Sequence, residues 1–506
     1  MTVNPTTVAA VDLGAESGRV VGVSIDDGRV TEELVHRFRN VPVDRDGALR
    51  WDVPALLGEI RYGLAKLGAD RPIASVGVDT WGLDYGLLDA EGGLVDPPIS
   101  HRDGRTREVY ERALREHGAA LLYQSTGIQL LEVNSVYQWL ADQRAPGRRL
   151  DRAATVLLMP DVFHHLLGGA IVSEYTAVST TGAYDMRGGR WATGLLETLG
   201  LPTHMLPEVV EPGTEVGFLR PSGSDPAGLR GTRIIAPAAH DTASAFVAVP
   251  AASPDAMFIS SGTWSLVGVE RPRPVVDAHS QRANLTNEGG YGGTIRLLRN
   301  VMGLWLLQEC RREWVRQGHD FDYAGLVDAA AEEPFGRSVV DPDHPDFLTP
   351  GDMPGRIRRH CAETGQPVPE TPGQISRCVI DSLALGYNAV ADDLERLLGR
   401  RPPAVHIVGG GARNALLSRL TADVTRLPVH CGPFEATALG NGLVQLAALG
   451  EAGDLAEIRS LVRASTDVLT YEPSDMDELP RVRARFQRVR QRSPDPVPPT
   501  EPQPKP

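Results

Sequence analysis

Three glycine-rich turns and one aspartate are the residues whose types and spacing could do chemistry. A phosphate group needs close backbone approach and N–H donors, and a glycine-rich turn supplies both because no Cβ blocks the ligand. Asp12-Leu13-Gly14-Ala15-Glu16-Ser17-Gly18-Arg19 offers such a turn with a hydroxyl, a cation and, in Asp12, a carboxylate for Mg2+. Ser261-Gly262-Thr263 is a second turn of this kind. An ordinary hairpin turn explains either one alone; two, one in each half, could grip a triphosphate from both sides of a cleft. Gly409-Gly410-Gly411-Ala412-Arg413-Asn414 follows an apolar strand and precedes a helix, whose N-terminus favours negative charge nearby. A tight strand-to-helix turn competes with this reading, although such a turn rarely needs three glycines. The run is not GxGxxG with an acidic residue about 20 positions on, which speaks against a dinucleotide site.

The aspartate is Asp241, in His240-Asp241-Thr242-Ala243-Ser244-Ala245, at the opening of a helix of small residues. Aspartate is a favoured N-cap and needs no catalytic role there. A helix N-terminus also makes a carboxylate a weaker base. Phosphoryl transfer tolerates that, because its loose transition state asks chiefly for positioning and late acceptance of the hydroxyl proton. Asp79-Thr80-Trp81-Gly82-Leu83-Asp84-Tyr85 ends a buried strand with carboxylates that suit hydroxyls and a ring that suits the apolar face of a sugar. Core packing of Trp81 is the competing reading. Ser100-His101-Arg102-Asp103-Gly104-Arg105, read alone, is a solvated loop.

The elements that must position these residues are legible as α/β. Val8–Val11 and Arg19–Ile25 read as strands around the first turn, with a third from Val30 to Phe38. A helix follows, with Asp52 as N-cap, Pro54 in its first turn, and Leu57, Ile60, Leu64 and Leu67 on one face. Near the middle the opening pattern returns: Met257–Ser260, the turn at Gly262, then Leu266-Val267-Gly268-Val269 against Val20-Val21-Gly22-Val23. This repetition predicts a duplicated unit with a boundary near residues 246–256. A long helix is predicted over Gln374 to Leu398, then a strand at Ala404–Val408 and a helix from about Asn414.

At 506 residues the chain exceeds what one core usually supports, so two domains are expected. Hydrophobic content of 42% and charged content of 23% are those of a globular protein. A net charge of −14 argues against a nucleic-acid partner and requires a local cation or metal for any anionic substrate. Met1–Pro5 lacks the basic and apolar regions of a signal peptide, and no uncharged apolar run spans a bilayer, so a cytoplasmic protein with no membrane partner is expected. Cys310, Cys361, Cys378 and Cys431 show no CxxC spacing and read as buried free thiols.

Together and in this order, these motifs resemble the FGGY family of carbohydrate kinases. So do Gly127-Ile128-Gln129, Met159-Pro160-Asp161, Asn284–Gly290 and Asn300–Gln308; the likeness runs from about residue 8 to residue 475. The resemblance implies two actin-like (ribonuclease H-like) domains, with ATP and sugar meeting in the cleft between them. It divides the chain into an N-terminal domain (1–247), a C-terminal nucleotide-binding domain (248–475) and a segment (476–506) that is Pro-rich and disordered from Ser493. It implies Asp241 as the base and Trp81, Gly82, Arg102, His240, Thr242 and Asn300 as sugar contacts. Ala15, Glu16, Ser17, Gly18, Arg19, Thr263, Gln308, Gly410 and Gly411 would contact ATP, with Asp12 holding Mg2+ through water. Asp79–Gly82, Thr286–Gly290 and Asn300–Trp305 resemble the members that act on L-rhamnulose. L-fuculose, L-xylulose or D-xylulose as acceptor, and a non-catalytic actin-like binding protein, are the alternatives; monomer and homodimer both stay open. Glu16 departs from the small hydroxyl residue of the related enzymes, and Ala412-Arg413 also differ.

Overall fold

The computed structural model describes residues 5–492 except 146, 148 and 224. The Pro-rich segment from Ser493 lies outside the described residues. Among the described residues, six strands form one large sheet: Thr7–Leu13 (β1), Ser17–Asp26 (β2), Arg29–Arg39 (β3), Ser75–Thr80 (β4), Glu215–Phe218 (β5) and Arg233–Ile235 (β6). Seven form the other: Met257–Ser261 (β7), Trp264–Arg271 (β8), Thr286–Gly289 (β9), Ile295–Met302 (β10), Val405–Val408 (β11), Val429–Cys431 (β12) and Leu469–Tyr471 (β13).

The orders are β5-β6-β4-β1-β2-β3 and β9-β10-β8-β7-β11-β12-β13. In each sheet a three-strand antiparallel meander is followed by parallel strands on the other side of its first strand. The equivalences run β1 with β7, β2 with β8, β3 with β10, β4 with β11 and β6 with β12. The two candidate turns therefore fall at the same topological place. Strand β1 is buried over its whole length because partners flank it on both edges, so it reads as a nearly continuous apolar run broken by Asp12.

Helix α1 (Val53–Asp70) returns the chain from β3 to β4. The Asp52 carboxylate accepts the Ala55 N–H at 3.2 Å and caps the helix. Leu56 and not Leu57 joins Ile60, Leu64 and Leu67 on the buried face, at spacings of four, four and three. Each such leucine contributes about 1.5–3 kcal/mol by leaving water. Four further helices carry weight below: α2 (Asp241–Val247) after β6, α3 (Trp305–Arg316) after β10, α4 (Met353–Glu363), and α5 (Pro372–Leu398), the counterpart of α1. Helix α6 (Ala415–Thr425) follows the triglycine turn and α7 (Ala436–Ala448) follows β12.

Helices α2 and α7 pack against each other where the halves meet. A Cβ on Gly440 would lie 1.8 Å from the Ser244 carbonyl oxygen, so only glycine permits this approach. Although α7 comes late in the chain, it covers the N-terminal sheet. Asn441 Nδ2 donates to Asp79 Oδ2 at 2.6 Å, and Gln445 accepts from Ser75 Oγ at 2.7 Å and donates to the Ala9 carbonyl at 3.1 Å. These buried hydrogen bonds leave only Asp79 Oδ1 of that carboxylate without a partner, and they tie the register of one half to the other. All four cysteines are buried and free. Among the described residues no helix is long and apolar enough to cross a membrane.

Candidate active site

A cavity of about 800 Å³ is lined by both candidate turns, the triglycine turn and the start of α2. In the first turn, Asn40 donates from its backbone to the Glu16 carbonyl at 3.0 Å and from its side chain to the Gly14 carbonyl at 2.7 Å. The second turn is held in a similar way: the N–H groups of Gly303 and Leu304 reach the Thr263 and Gly262 carbonyls at 3.2 and 3.0 Å. With their carbonyls tied back, both turns turn small residues toward the cavity. Gly409 has φ +83°, a conformation that side chains rarely adopt, and Gly411 packs so closely that a Cβ would lie 2.1 Å from Ser261 Oγ. The triglycine turn and the second hairpin turn are thus one joined surface.

The cavity includes Asp12, Ala15, Glu16, Ser17, Arg19, Trp81, Gly82, Arg102, His240, Asp241, Thr242, Thr263, Asn300, Gln308, Gly410 and Gly411 of the expected residues. Gly18 is not among its lining residues. It lies in β2, where a Cβ would meet the Phe38 ring at 2.4 Å, so its smallness serves packing. Asp79 and Asp84 are fully buried and hold the protein rather than a ligand. Trp51 and Trp81 both donate their indole N–H to Asp84 Oδ2, at 2.7 and 2.9 Å, and His101 Nδ1 sits 3.1 Å from the same oxygen. Burial pushes the Asp84 carboxyl up, but His101 and the two indoles outweigh it and hold it below the usual range. Trp81 is therefore both core and wall.

Asp241 is the first residue of α2, and the cap position belongs to His240. Asp241 Oδ1 accepts from the Thr242 N–H at 2.5 Å and from the Thr242 hydroxyl at 3.1 Å. The preceding loop is anchored by Glu174, which accepts from the Ala239 N–H at 3.1 Å, and by Thr176, whose hydroxyl accepts from the His240 N–H at 3.0 Å. Burial, with Asp161 adding, pushes the Glu174 carboxyl up to about 8. His240 Nε2 lies 3.4 Å from Asp241 Oδ1, while its Nδ1 faces Arg296 at 3.1 Å and Glu288 at 3.4 Å. Gly82 leaves room for this ring, since a Cβ there would lie 3.2 Å from His240 Nε2.

Glu288, part of the Thr286–Gly290 motif but given no role of its own, and Arg296, not named from the sequence, form the buried floor beside His240. They are direct partners across β9 and β10, with 3.2 Å between their charged groups. Burial pushes the Glu288 carboxyl up, but Arg296, His240 and Asn300 together hold it below the usual range. Two opposite charges in strands otherwise read as buried were the signal that could have found them. Gln129, named within Gly127-Ile128-Gln129 but given no role there, accepts through Oε1 from the Asn300 N–H and Nδ2, at 2.8 and 3.1 Å, joining the two halves.

Charged links from the first turn cross the cleft. Arg19 pairs with Asp12 at 3.1 Å and with Glu435, and Glu16 pairs with Arg312 of α3 at 2.5 Å. The charge that distinguishes position 16 is thus drawn away toward an arginine. Arg312 and Arg102 both lie over the Trp305 ring, at 5.2 and 4.1 Å. Burial, with Arg312 adding, brings Arg102 down to about 10. Asp12 faces the cavity with its carboxyl pushed up by burial, against the pull of Arg19, and by the charge of Asp241. Its Oδ2 lies in that ion pair with Arg19 but accepts no aligned hydrogen bond. A carboxylate that lines the cavity fits a divalent cation that shares it with Arg19, and the partnerless Oε1 of Gln308 fits a donor on a bound ligand.

Similarity to known proteins agrees with this geometry. Residues 7–248 match the model of the FGGY family of carbohydrate kinases, N-terminal domain, and residues 257–449 that of its C-terminal domain. A rhamnulokinase of Bacteroides thetaiotaomicron is 42% identical over 92% of this chain and 96% of its own length. One of Enterococcus faecalis is 39% identical over 96% and 98%. Among solved structures, a gluconate kinase of Lactobacillus acidophilus superposes with a TM-score of 0.76 at 17% identity, covering 96% of both chains. A glycerol kinase of Plasmodium falciparum with ADP gives 0.74 at 14% identity, covering 97% of this chain and 98% of its own. At such identities the structures speak to the fold alone.

Proposed function

The chain belongs to the FGGY family of carbohydrate kinases, and from that premise we propose that it transfers the γ-phosphoryl group of ATP to L-rhamnulose, giving L-rhamnulose 1-phosphate in the cytoplasm. It is an ATP-dependent carbohydrate kinase with the two-domain actin-like fold. The choice of sugar rests on one observation: relatives 39 to 42% identical along nearly the whole chain are rhamnulokinases.

Asp241 is the base in this reading. Thr242 anchors one of its carboxylate oxygens, which leaves the other to accept the proton of the reacting hydroxyl. The oxygen of that hydroxyl attacks the γ-phosphorus as the bond to the β-phosphate oxygen breaks. His240, held by Arg296 and Glu288, and Asn300, held by Gln129, orient the sugar by hydrogen bonds. The turn at Ala15–Ser17 and Arg19 face the phosphates, while Thr263, Gln308, Gly410 and Gly411 take the rest of the nucleotide. Asp12 would hold Mg2+, which supplies charge neutralisation on the phosphates when bound.

An ADP-release assay over L-rhamnulose, L-fuculose, L-xylulose and D-xylulose tests the acceptor. The highest kcat/KM is expected for L-rhamnulose; a larger value for any other sugar refutes the assignment and leaves the family intact.

A further inference from the structure

A second cluster of ligating side chains lies away from the kinase cavity, at the outer edge of the C-terminal half. His344, Asp346 and His360 each offer one donor atom, and the three atoms all lie within 4.8 Å of one another. None of the three lines the cavity. His360 Nε2 is 3.1 Å from Asp346 Oδ2, His344 Nδ1 is 3.9 Å from the same oxygen, and the two imidazole centroids are 4.2 Å apart.

Separate elements bring these groups together. His344 caps a single helical turn at Pro345–Phe347, Asp346 is the middle residue of that turn, and His360 lies in the last turn of α4. Both imidazoles pack against the fully buried Phe347, with centroids at 5.9 and 4.8 Å, which restrains the rings before any ligand arrives. The histidine side chains are 15% and 13% exposed and that of Asp346 is 54% exposed, so the cluster is a half-buried pair of nitrogens with one open, anionic side. A cation can enter there and keep water as a fourth ligand.

We propose that His344, Asp346 and His360 form a binding site for a borderline divalent transition cation, of which Zn2+ is the probe. Two imidazoles and one carboxylate suit such an ion, whereas Mg2+ and Ca2+ prefer oxygen-rich sets. In a tetrahedral site with bonds of about 2.0–2.1 Å, donor atoms stand about 3.3 Å apart. One pair here is already at 3.1 Å and another at 3.9 Å, so adjustments of side-chain torsion complete the set. The lone pair of His344 Nδ1, which accepts the Asp346 N–H at 3.2 Å, turns to the metal.

The site would tie α4 to the segment that buttresses the cavity wall. In that segment Asp343 accepts from the Met302 N–H at 2.9 Å, the Phe347 carbonyl accepts from the Trp305 indole at 3.0 Å, and the Gly351 N–H donates to Glu309 at 2.9 Å. Binding is therefore expected to raise the thermal midpoint of the full chain.

The experiment is equilibrium dialysis of the full-length protein against micromolar Zn2+ with millimolar Mg2+ present, read by elemental analysis. About one equivalent of Zn2+ per chain is expected, with the same occupancy in Asp12→Asn, which separates this site from the kinase centre. His344→Ala and His360→Ala are expected to weaken binding at least about 100-fold, and Asp346→Asn, an exposed change with little risk to folding, at least about 10-fold. All three keep kinase activity. Substoichiometric Zn2+ in the wild type overturns the proposal, as does stoichiometric binding that survives all three substitutions.

Discussion

The first hairpin turn and the second occupy equivalent places in two sheets of the same topology, yet their chemistry differs. The first carries Asp12, Glu16 and Arg19, and its charges reach across the cleft to Arg312 and Glu435. The second, Ser261-Gly262-Thr263, carries no charge and is welded through Ser261 to the triglycine turn. The charged turn lines the cavity with Asp241, the base in the proposed reading. The other has become an uncharged backbone surface that a nucleotide can lie on. Duplication supplies the geometry twice, and side-chain substitution at equivalent turns divides the labour.

The sharpest test of this division is Asp241→Asn, which leaves the uncharged side untouched. We expect kcat to fall by at least about 10³-fold, near 4 kcal/mol, with the Kd for ATP within about threefold of wild type. A kcat within tenfold of wild type would remove Asp241 from the chemistry and the division with it. A smaller effect, on the other side, is expected from Gly411→Val. Its side chain would overlap Ser261 and force the second turn from the triglycine turn, raising the KM for ATP by about tenfold to 100-fold while the KM for sugar stays constant. If both constants rose together, the two surfaces would not be separable. The smallest effect belongs to Glu16→Ser, which breaks the pair with Arg312. That pair is partly exposed, with side chains 37% and 44% accessible, so the change in KM for ATP should stay within about fivefold and vanish at high salt. A change above about 30-fold would show that Glu16 touches the phosphates rather than tethering the cleft.

Much of this architecture is legible along the chain because local rules agree with the fold. Strand, glycine turn and strand recur at Val11–Val23 and Phe258–Val269, and the structure places both in the same topological position. The long helix was foreseen at Gln374–Leu398 and runs Pro372–Leu398, since Thr371 caps it and Gly399, in the left-handed region, ends it. The places where the structure departs from the local reading share one physical origin. Gly18 looks like a phosphate-loop glycine, but only the approach of Phe38 decides what its missing Cβ makes room for. Asp79 and Asp84 look like sugar ligands until Asn441, from far along the chain, and two buried indoles are seen to claim them.

By itself, then, the sequence determined the residue types at each turn, the repeat of strand and turn, and Asp241 at the start of a short helix. These follow from periodicity, small-residue turns and capping preferences, which act over a few residues. Only the tertiary structure decided which carboxylates face the cavity and which are buried, that Glu288 and Arg296 floor the site beneath His240, and that Glu16 is drawn to Arg312. The contacts of His240 with Arg296 and of Glu16 with Arg312 join residues tens to hundreds of positions apart, and the balance of burial against ion pairing that sets their charge exists only once the two halves have packed.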